Sequence, residues 1–191
     1  MTDTNLLILV RHSMPEIKFD LPATEWGLSE TGRQRCVSLA DKVRKFQPAV
    51  VFTSQERKAL QTGAILAQIL GINATTAAGL HEHERNGDYF VSQDIFDNKV
   101  KRFFEQPSQL VFGQESAEQA LQRFSQAVKN VLDSWSNGSV VIVAHGVVIA
   151  LWVNSICGGD LFTFWKRQGM PSFTVFSRPD LKFMECMEHV Y

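Results

Sequence analysis

Two short runs of apolar residues have the same arrangement, one near each end of the sequence. Residues 6–10 are followed by Arg11 and His12, and residues 140–144 are followed by His145. Runs of this length and composition are typical of strands that are buried on both faces. If the two strands are parallel neighbours, both histidines lie at the carboxyl edge of one sheet, which is where open α/β sheets bind their ligands.

The rest of the chain alternates helical patterns with short strands. Residues 49–53 read as a further strand, and the segments behind Ser29, over 56–70, behind Ser116 and over 147–156 read as helices. A weaker helix is predicted over 94–104, and the loose alternation of 173–190 indicates additional strands. The predicted inner positions of the first two helices are Val37, Ala40, Val43 and Phe46, then Ala59, Leu60, Ala64, Ala67 and Leu70. This alternation predicts an α/β fold with a mostly parallel central sheet flanked by helices.

Length and composition fit one ordinary globular domain. The 191 residues predict a single domain over 1–191, in which the less regular region at about 72–115 forms a small cap over the strand ends. A net charge of −1 provides no basic field for nucleic acid or for an anionic membrane. No apolar run is long enough to span a bilayer, and nothing at the amino terminus reads as a signal peptide. Three cysteines without zinc or redox spacing are expected to be buried, reduced thiols, which predicts a cytoplasmic protein.

The residues at the two strand ends favour binding of an anion. Two imidazoles and the Arg11 guanidinium together suit a phosphate group. Because His145 and Gly146 stand immediately before a predicted helix, the N–H groups of its first turn are expected to add to the same site. Imidazole is also a nucleophile that forms a covalent phosphohistidine.

In order and context these motifs resemble the histidine phosphatase superfamily, the group that includes the phosphoglycerate mutases. The resemblance extends from about residue 6 to 176 and includes three blocks between the histidines, at 53–62, 79–82 and 113–116. It implies the phosphoglycerate mutase-like fold, with His12 as the nucleophile that carries the phosphoryl group. Arg11, His145 and Gly146 then bind the transferred phosphate, and neither a metal nor an organic cofactor is needed.

The second cation of the site departs from the commonest family pattern. Most members carry arginine where this chain has Lys58, although some have lysine there after a glutamate, as in the run Glu56, Arg57, Lys58. Lysine is a point charge for phosphate and lacks the planar fork of arginine. We therefore expect Lys58 to bind phosphate, with Arg57 as the alternative, and the one that does not bind to lie on the exposed face of its helix.

A glutamate is expected to protonate the leaving oxygen, since an alkoxide needs a general acid. The family's leucine–variable–glutamate block corresponds to residues 80–82, which makes Glu82 the candidate and Glu84 the alternative. The run from His81 to Glu84 has a spacing that also suits metal ligands, but nothing elsewhere completes a ligand set, so no metal site is predicted. Glu115 and Ser116 match a further family block, but the start of a helix is sufficient to explain them.

The loop after His12 differs from the family, because Ser13 replaces a glycine and the family threonine that follows is absent. Ser13 remains a possible phosphate contact. The predicted function is hydrolysis of a small-molecule phosphomonoester through a phosphohistidine. A phosphoglycerate-type mutase and a non-catalytic module that binds a phospho-ligand or a partner are the alternatives. The sequence specifies neither the substrate nor the oligomeric state.

Overall fold

Six strands form one sheet in the computed structural model, which describes residues 5–85 and 92–191. The strand order is β3-β2-β4-β1-β5-β6, in which β3, β2, β4 and β1 are mutually parallel and β5 runs antiparallel to both of its neighbours. The strands are β1 (Leu6–Arg11), β2 (Pro48–Thr53), β3 (Asn73–Thr76), β4 (Ser139–Ala144), β5 (Ser172–Ser177) and β6 (Phe183–Met187). The predicted α/β fold with a mostly parallel sheet is confirmed.

Helices cover both faces of this sheet because the central strands are apolar on both sides. In β1, Leu7 and Leu9 pack against one helical layer, while Leu6, Ile8 and Val10 pack against the other. The first layer contains α3 (Gln93–Glu105), α4 (Ala117–Ser134), α5 (Gly146–Cys157) and α6 (Leu161–Arg167), and the second contains α1 (Glu30–Val43) and α2 (Arg57–Leu70). Single 3₁₀ turns lie at Ala23–Glu25 and Arg44–Phe46.

The predicted helix starts at Ser29 and Ser116 are confirmed. The Ser29 hydroxyl accepts a hydrogen bond from the Gly32 N–H and begins α1. Ser116 begins α4 in a reciprocal capping box with Gln119. α4 buries an apolar stripe against the core, whereas two of the predicted inner positions in α1 and α2 are wrong: Val37 is 50% exposed and Ala64 is also exposed. Ala40 and Val43 in α1 and Ala59 and Ala67 in α2 are buried as predicted. The buried faces also include Cys36 and Leu39 in α1 and Gly63 and Leu66 in α2, which were not among the predicted inner positions.

The region predicted as a cap is partly built into the sheet. Its first residues form the edge strand β3, and α3 packs against α6. Residues 86–91 lie outside the part of the chain that the structure describes. All three cysteines are free, but only Cys36 is buried, so the expectation of buried thiols is wrong for Cys157, which is exposed. Within the described ranges, no helix is both long and apolar enough to cross a bilayer.

Candidate active site

The carboxyl ends of β1 and β4 bring His12 and His145 together. These strands pair residue by residue up to Arg11 and Ala144, and the His12 N–H donates to the Ala144 carbonyl at 3.0 Å. The two imidazole rings lie edge to face, with centroids 5.2 Å apart and planes inclined by 61°. Both rings are buried. Two residues that are 133 positions apart in sequence therefore share one pocket at the carboxyl edge of the parallel strands.

The hydrogen bond of His12 fixes which ring nitrogen is free. Nδ1 lies 2.7 Å from the Ser13 carbonyl oxygen, which only accepts, so Nδ1 carries the proton and donates it. The lone pair is then on Nε2. Burial, followed by the neighbouring His145 ring and the positive charges of Lys58 and Arg11, places the pKa of His12 well below its usual value. A neutral ring with a free Nε2 is the form that acts as a nucleophile at neutral pH.

Arg11 lies against the first residue of α5. Its Nη1 donates to the Gln168 carbonyl, while its Nε is buried without a hydrogen-bond partner among the described residues. A Cβ at Gly146 would stand only 3.0 Å from that Nε and 3.1 Å from Cζ. Glycine at 146 therefore gives the guanidinium room to approach the helix start. The buried Nε–H of Arg11 is therefore available to a ligand.

His145 stands immediately before α5 and is completely buried. Its Nε2 lies 2.8 Å from the Ser54 hydroxyl and 3.4 Å from Glu56 Oε1, whereas Nδ1 has no partner within the described chain. Burial, followed by the charge of Lys58, places the pKa of His145 well below its usual value, so the ring is neutral in the free protein. Nδ1 is a second buried ring atom that is available to a ligand.

The two candidate cations at the start of α2 point in different directions. Lys58 has a side chain that is 8% exposed, and its Nζ donates to Glu56 Oε2 at 2.5 Å and to the Ala23 carbonyl at 2.8 Å. An ammonium has three N–H donors, so one remains after these two contacts. Arg57 is exposed. Of the two, only Lys58 is buried beside the histidines.

Replacing Lys58 by alanine is expected to lower kcat/KM more than replacing Arg57 by alanine. Removal of a charge-assisted contact with phosphate should cost about 1.5–3 kcal/mol, or roughly 10- to 200-fold, whereas an exposed charge should have little effect. Steady-state kinetics on one phosphomonoester, with both variants checked for folding by thermal unfolding, provides the comparison. The reverse order of effects would assign phosphate binding to Arg57.

Glu82 caps the start of α5. Its Oε2 accepts from the Val147 N–H at 3.1 Å, and its Oε1 accepts from the Val148 N–H at 3.2 Å and from the His83 N–H at 3.0 Å. The expectation that these helix N–H groups are open to phosphate is therefore wrong for Val147 and Val148. The positive end of the helix dipole holds a carboxylate of the chain itself, which places Glu82 beside the histidine pocket.

The other predicted candidates lie further from the pocket or have structural partners. Glu84 is exposed and pairs with His81, with 3.2 Å between Oε1 and Nε2. The buried Ser13 hydroxyl donates to the Gly32 carbonyl at 2.7 Å, and the Ser13 N–H donates to Thr62 Oγ1, which ties the loop to α1 and α2. Among the described residues, no group of three or more His, Cys, Asp or Glu side chains has the geometry to hold a metal ion.

A clasp that was not predicted from the sequence holds the Glu82 segment in place. Arg123 of α4 donates to the carbonyls of Gly79 at 2.8 Å, of His81 at 3.0 Å and of Glu82 at 3.2 Å. Its guanidinium is paired with Glu115, whose carboxylate also accepts from the N–H of Glu84. From the sequence, Glu115 is explained as part of a helix start. Its match to the family block at 113–116 is the feature that could have indicated its contacts with Arg123 and with the Glu84 N–H.

Glu56 and Ser54 were also missed as parts of the site. Glu56 contacts Lys58, the N–H of Glu82 and His145, and its side chain is 8% exposed. Burial by itself raises the pKa of the Glu56 carboxyl, but the Lys58 charge and hydrogen bond, together with the Glu82 N–H, outweigh it and lower the pKa. Glu56 is therefore a carboxylate at neutral pH.

Solved structures of phosphatases have the same fold. A mycobacterial glucosyl-3-phosphoglycerate phosphatase aligns with a TM-score of 0.72 at 22% identity, over 90% of this chain and 89% of that chain. A phosphoserine phosphatase from Entamoeba histolytica, solved with 3-phosphoglyceric acid, aligns with a TM-score of 0.77 at 17% identity, over 97% of this chain and 98% of that chain. At these identities the structures show a shared fold.

Sequence comparison gives a more direct relationship. An uncharacterized phosphatase, PhoE, of Bacillus subtilis (strain 168) is 25% identical over 144 residues, which is 75% of this chain and 68% of that protein. Residues 7–180 match the model of the histidine phosphatase superfamily (branch 1). That range contains both histidines, Glu82, the strands β2, β3 and β4, and all of β1 except Leu6. The chain belongs to the histidine phosphatase superfamily.

Proposed function

We propose that the protein is a phosphomonoester hydrolase that transfers the phosphoryl group to Nε2 of His12 and then to water. One observation supports this most strongly. The neutral His12, with its Nε2 lone pair free, shares a buried cluster with two atoms that lack partners among the described residues, Arg11 Nε and His145 Nδ1. Buried polar atoms are seldom left unpaired, and a phosphate provides oxygen acceptors for such donors.

The first chemical step forms the phosphohistidine. The Nε2 lone pair of His12 attacks phosphorus, and the bond between phosphorus and the leaving oxygen breaks. Arg11, Lys58 and His145 stabilise the charge on the three equatorial oxygens, which is the main requirement in phosphoryl transfer. The leaving oxygen takes a proton from the carboxylic acid of Glu82.

The second step returns the protein to its starting state. Water attacks phosphorus on the phosphohistidine, and the Glu82 carboxylate accepts the proton that the water loses. The bond between phosphorus and Nε2 breaks, and its electron pair returns to the ring. Inorganic phosphate leaves, and Glu82 is again protonated, as required for the next substrate. The same residue thus acts as general acid and then as general base.

The substrate is proposed to be a small phosphorylated molecule. The pocket is assembled from side chains at strand ends and helix starts, and the named relatives act on phosphoserine and on glucosyl-3-phosphoglycerate. We also propose that the protein acts in the cytoplasm, which its three free cysteines support. A net charge of −1 supports the absence of nucleic-acid binding.

A panel of phosphomonoesters, assayed for release of inorganic phosphate in excess chelator, is expected to show turnover without added metal. The reason is that the histidines and cations of the pocket provide both the nucleophile and the charge stabilisation. Failure to release phosphate from any ester would reject the hydrolase. Movement of phosphate within the substrate without release would identify a mutase. A rate that is lost with chelator and restored by zinc or magnesium would show that catalysis needs a metal.

A further inference from the structure

Glu56 contacts three parts of the proposed machinery at once. Its Oε2 accepts from Lys58 Nζ at 2.5 Å, and its Oε1 accepts from the Glu82 N–H at 2.8 Å and lies 3.4 Å from His145 Nε2. Its own N–H donates to Ser54 Oγ at 3.2 Å, and that hydroxyl is the other partner of His145 Nε2. The Glu56 carboxylate therefore contacts both Lys58 and His145, the two groups that are proposed to bind the phosphate.

An ammonium at this position depends on a partner more than a guanidinium does. Lys58 ends in a compact charge on a flexible stem, so its direction is fixed only by what it contacts. Here Lys58 donates to the Glu56 carboxylate and to the Ala23 carbonyl, and its side chain is almost fully buried. A buried charge without a counter-ion is costly, whereas a paired and hydrogen-bonded one is tolerated.

The Glu56 carboxylate also stabilises a proton on the His145 ring when phosphate binds. With Nδ1 directed to a phosphate oxygen, the ring stabilises more negative charge if Nε2 also carries a proton. Glu56 Oε1 and the Ser54 hydroxyl are the groups beside Nε2 that stabilise such a proton. A carboxylate beside an imidazole also fixes the orientation of the ring.

We propose that Glu56 is a positioning residue for phosphoryl transfer, which orients the Lys58 ammonium and the His145 imidazole toward the phosphate. This inference rests on the proposed function. Glu56 acts on the phosphoryl side of the reaction, since two of its contacts are with phosphate-binding groups. Glu56 also accepts from the Glu82 N–H, so an effect on protonation of the leaving group is the alternative. An effect on phosphate binding and an effect on protonation have different kinetic signatures.

The variant Glu56→Gln is expected to lower kcat/KM by about 10- to 200-fold, the factor for a charge-assisted hydrogen bond. The loss should be equal on an alkyl phosphate and on a nitrophenyl phosphate, because phosphate binding does not depend on the leaving group. Glu185→Gln is the matched control, since Glu185 forms an exposed ion pair with Lys45 at 2.8 Å, and it should keep full activity. A change of less than threefold in Glu56→Gln, or a loss confined to the alkyl ester, would overturn the proposal.

A double-mutant cycle with Lys58→Met tests whether Glu56 acts through the lysine. If it does, adding Glu56→Gln to Lys58→Met should lower kcat/KM much less than Glu56→Gln lowers it in the parent protein. Full additivity of the two losses would contradict the proposal. Because removal of one partner of a buried pair also destabilises the fold, thermal unfolding of each variant is measured. The double variant has neither charge of the buried pair. Its thermal unfolding therefore shows whether a loss of activity follows from destabilisation of the fold.

Calorimetric titration with inorganic phosphate separates this inference from the proposed function. The parent protein should bind phosphate, and Glu56→Gln should bind it about 10-fold or more weakly while Glu185→Gln binds it normally. If the parent binds phosphate in this pattern but hydrolyses no ester, the proposed function fails and the positioning role stands. If Glu56→Gln binds phosphate as the parent does, the positioning role fails whatever the catalytic result.

Discussion

The variant His12→Ala is expected to lose turnover by about 10³- to 10⁶-fold, the range seen when a covalent nucleophile is removed. It should also form no phosphoenzyme. The structure leaves Nε2 of His12 with a free lone pair. Burial, together with the positive charges of Lys58 and Arg11, lowers the pKa of His12 and keeps the ring neutral and reactive. Alanine provides no atom to accept the phosphoryl group. Rapid quenching of a reaction with labelled substrate, followed by a test for an acid-labile, base-stable adduct, measures this directly.

The control for this experiment is a histidine outside the pocket. His189 is exposed and interacts with Tyr191, so His189→Ala should keep both turnover and the phosphoenzyme. A phosphoenzyme that still forms in His12→Ala would show that another residue is the nucleophile. Loss of activity in both variants alike would point to general destabilisation.

The second large effect is expected from Glu82→Gln, and its size should depend on the leaving group. An alkyl phosphate releases a strongly basic alkoxide, so loss of the general acid should lower the rate by about 10²- to 10⁴-fold. A nitrophenyl phosphate releases a weakly basic phenolate that needs little protonation, and the loss should be much smaller. Single-turnover rates on both substrates give this ratio without interference from product release.

Glu84→Gln is the matched control, because Glu84 lies two residues away, is exposed and pairs with His81. If Glu82→Gln lost the same factor on both substrates, Glu82 would not be the acid. A loss in Glu84→Gln that depended on the leaving group would then assign the role to Glu84.

Much of the fold follows from local pattern. The buried strands β1 and β4 are continuous apolar runs, and α4 carries a wide apolar stripe behind a capping box, so both are readable without knowledge of the tertiary structure. β3 was not predicted, since all four of its residues are exposed and, within the described part of the chain, β2 is its single neighbour in the sheet. The buried faces of α1 and α2 were predicted only in part, because small or polar residues such as Gly63 and Thr62 are also buried there. Family membership over 7–180 confirms the resemblance noted in the sequence.

The candidate site was predictable where the backbone alone positions a residue. His12 and His145 follow directly from the ends of two buried strands, because adjacent parallel strands end at the same edge. The clasp by Arg123 on residues 79–82 was not predictable, since it connects positions that are 41 to 44 residues apart. Glu56 was overlooked for a related reason. Its importance comes from what the fold packs around it, which neither spacing nor residue type reveals.

Because β1 and β4 pair up to Arg11 and Ala144, sequence changes within these strands and changes within the connecting segments have different consequences. The atoms proposed to handle the phosphate come from strand ends and helix starts, whereas residues 14–28 and 107–114 belong to segments that connect strands and α-helices. Loss of one residue from either central strand would turn its histidine toward the opposite face of the sheet and end activity. Insertions in the connecting segments leave the two rings where they are. New substrates are therefore reached by remodelling these segments, with the reaction itself unchanged.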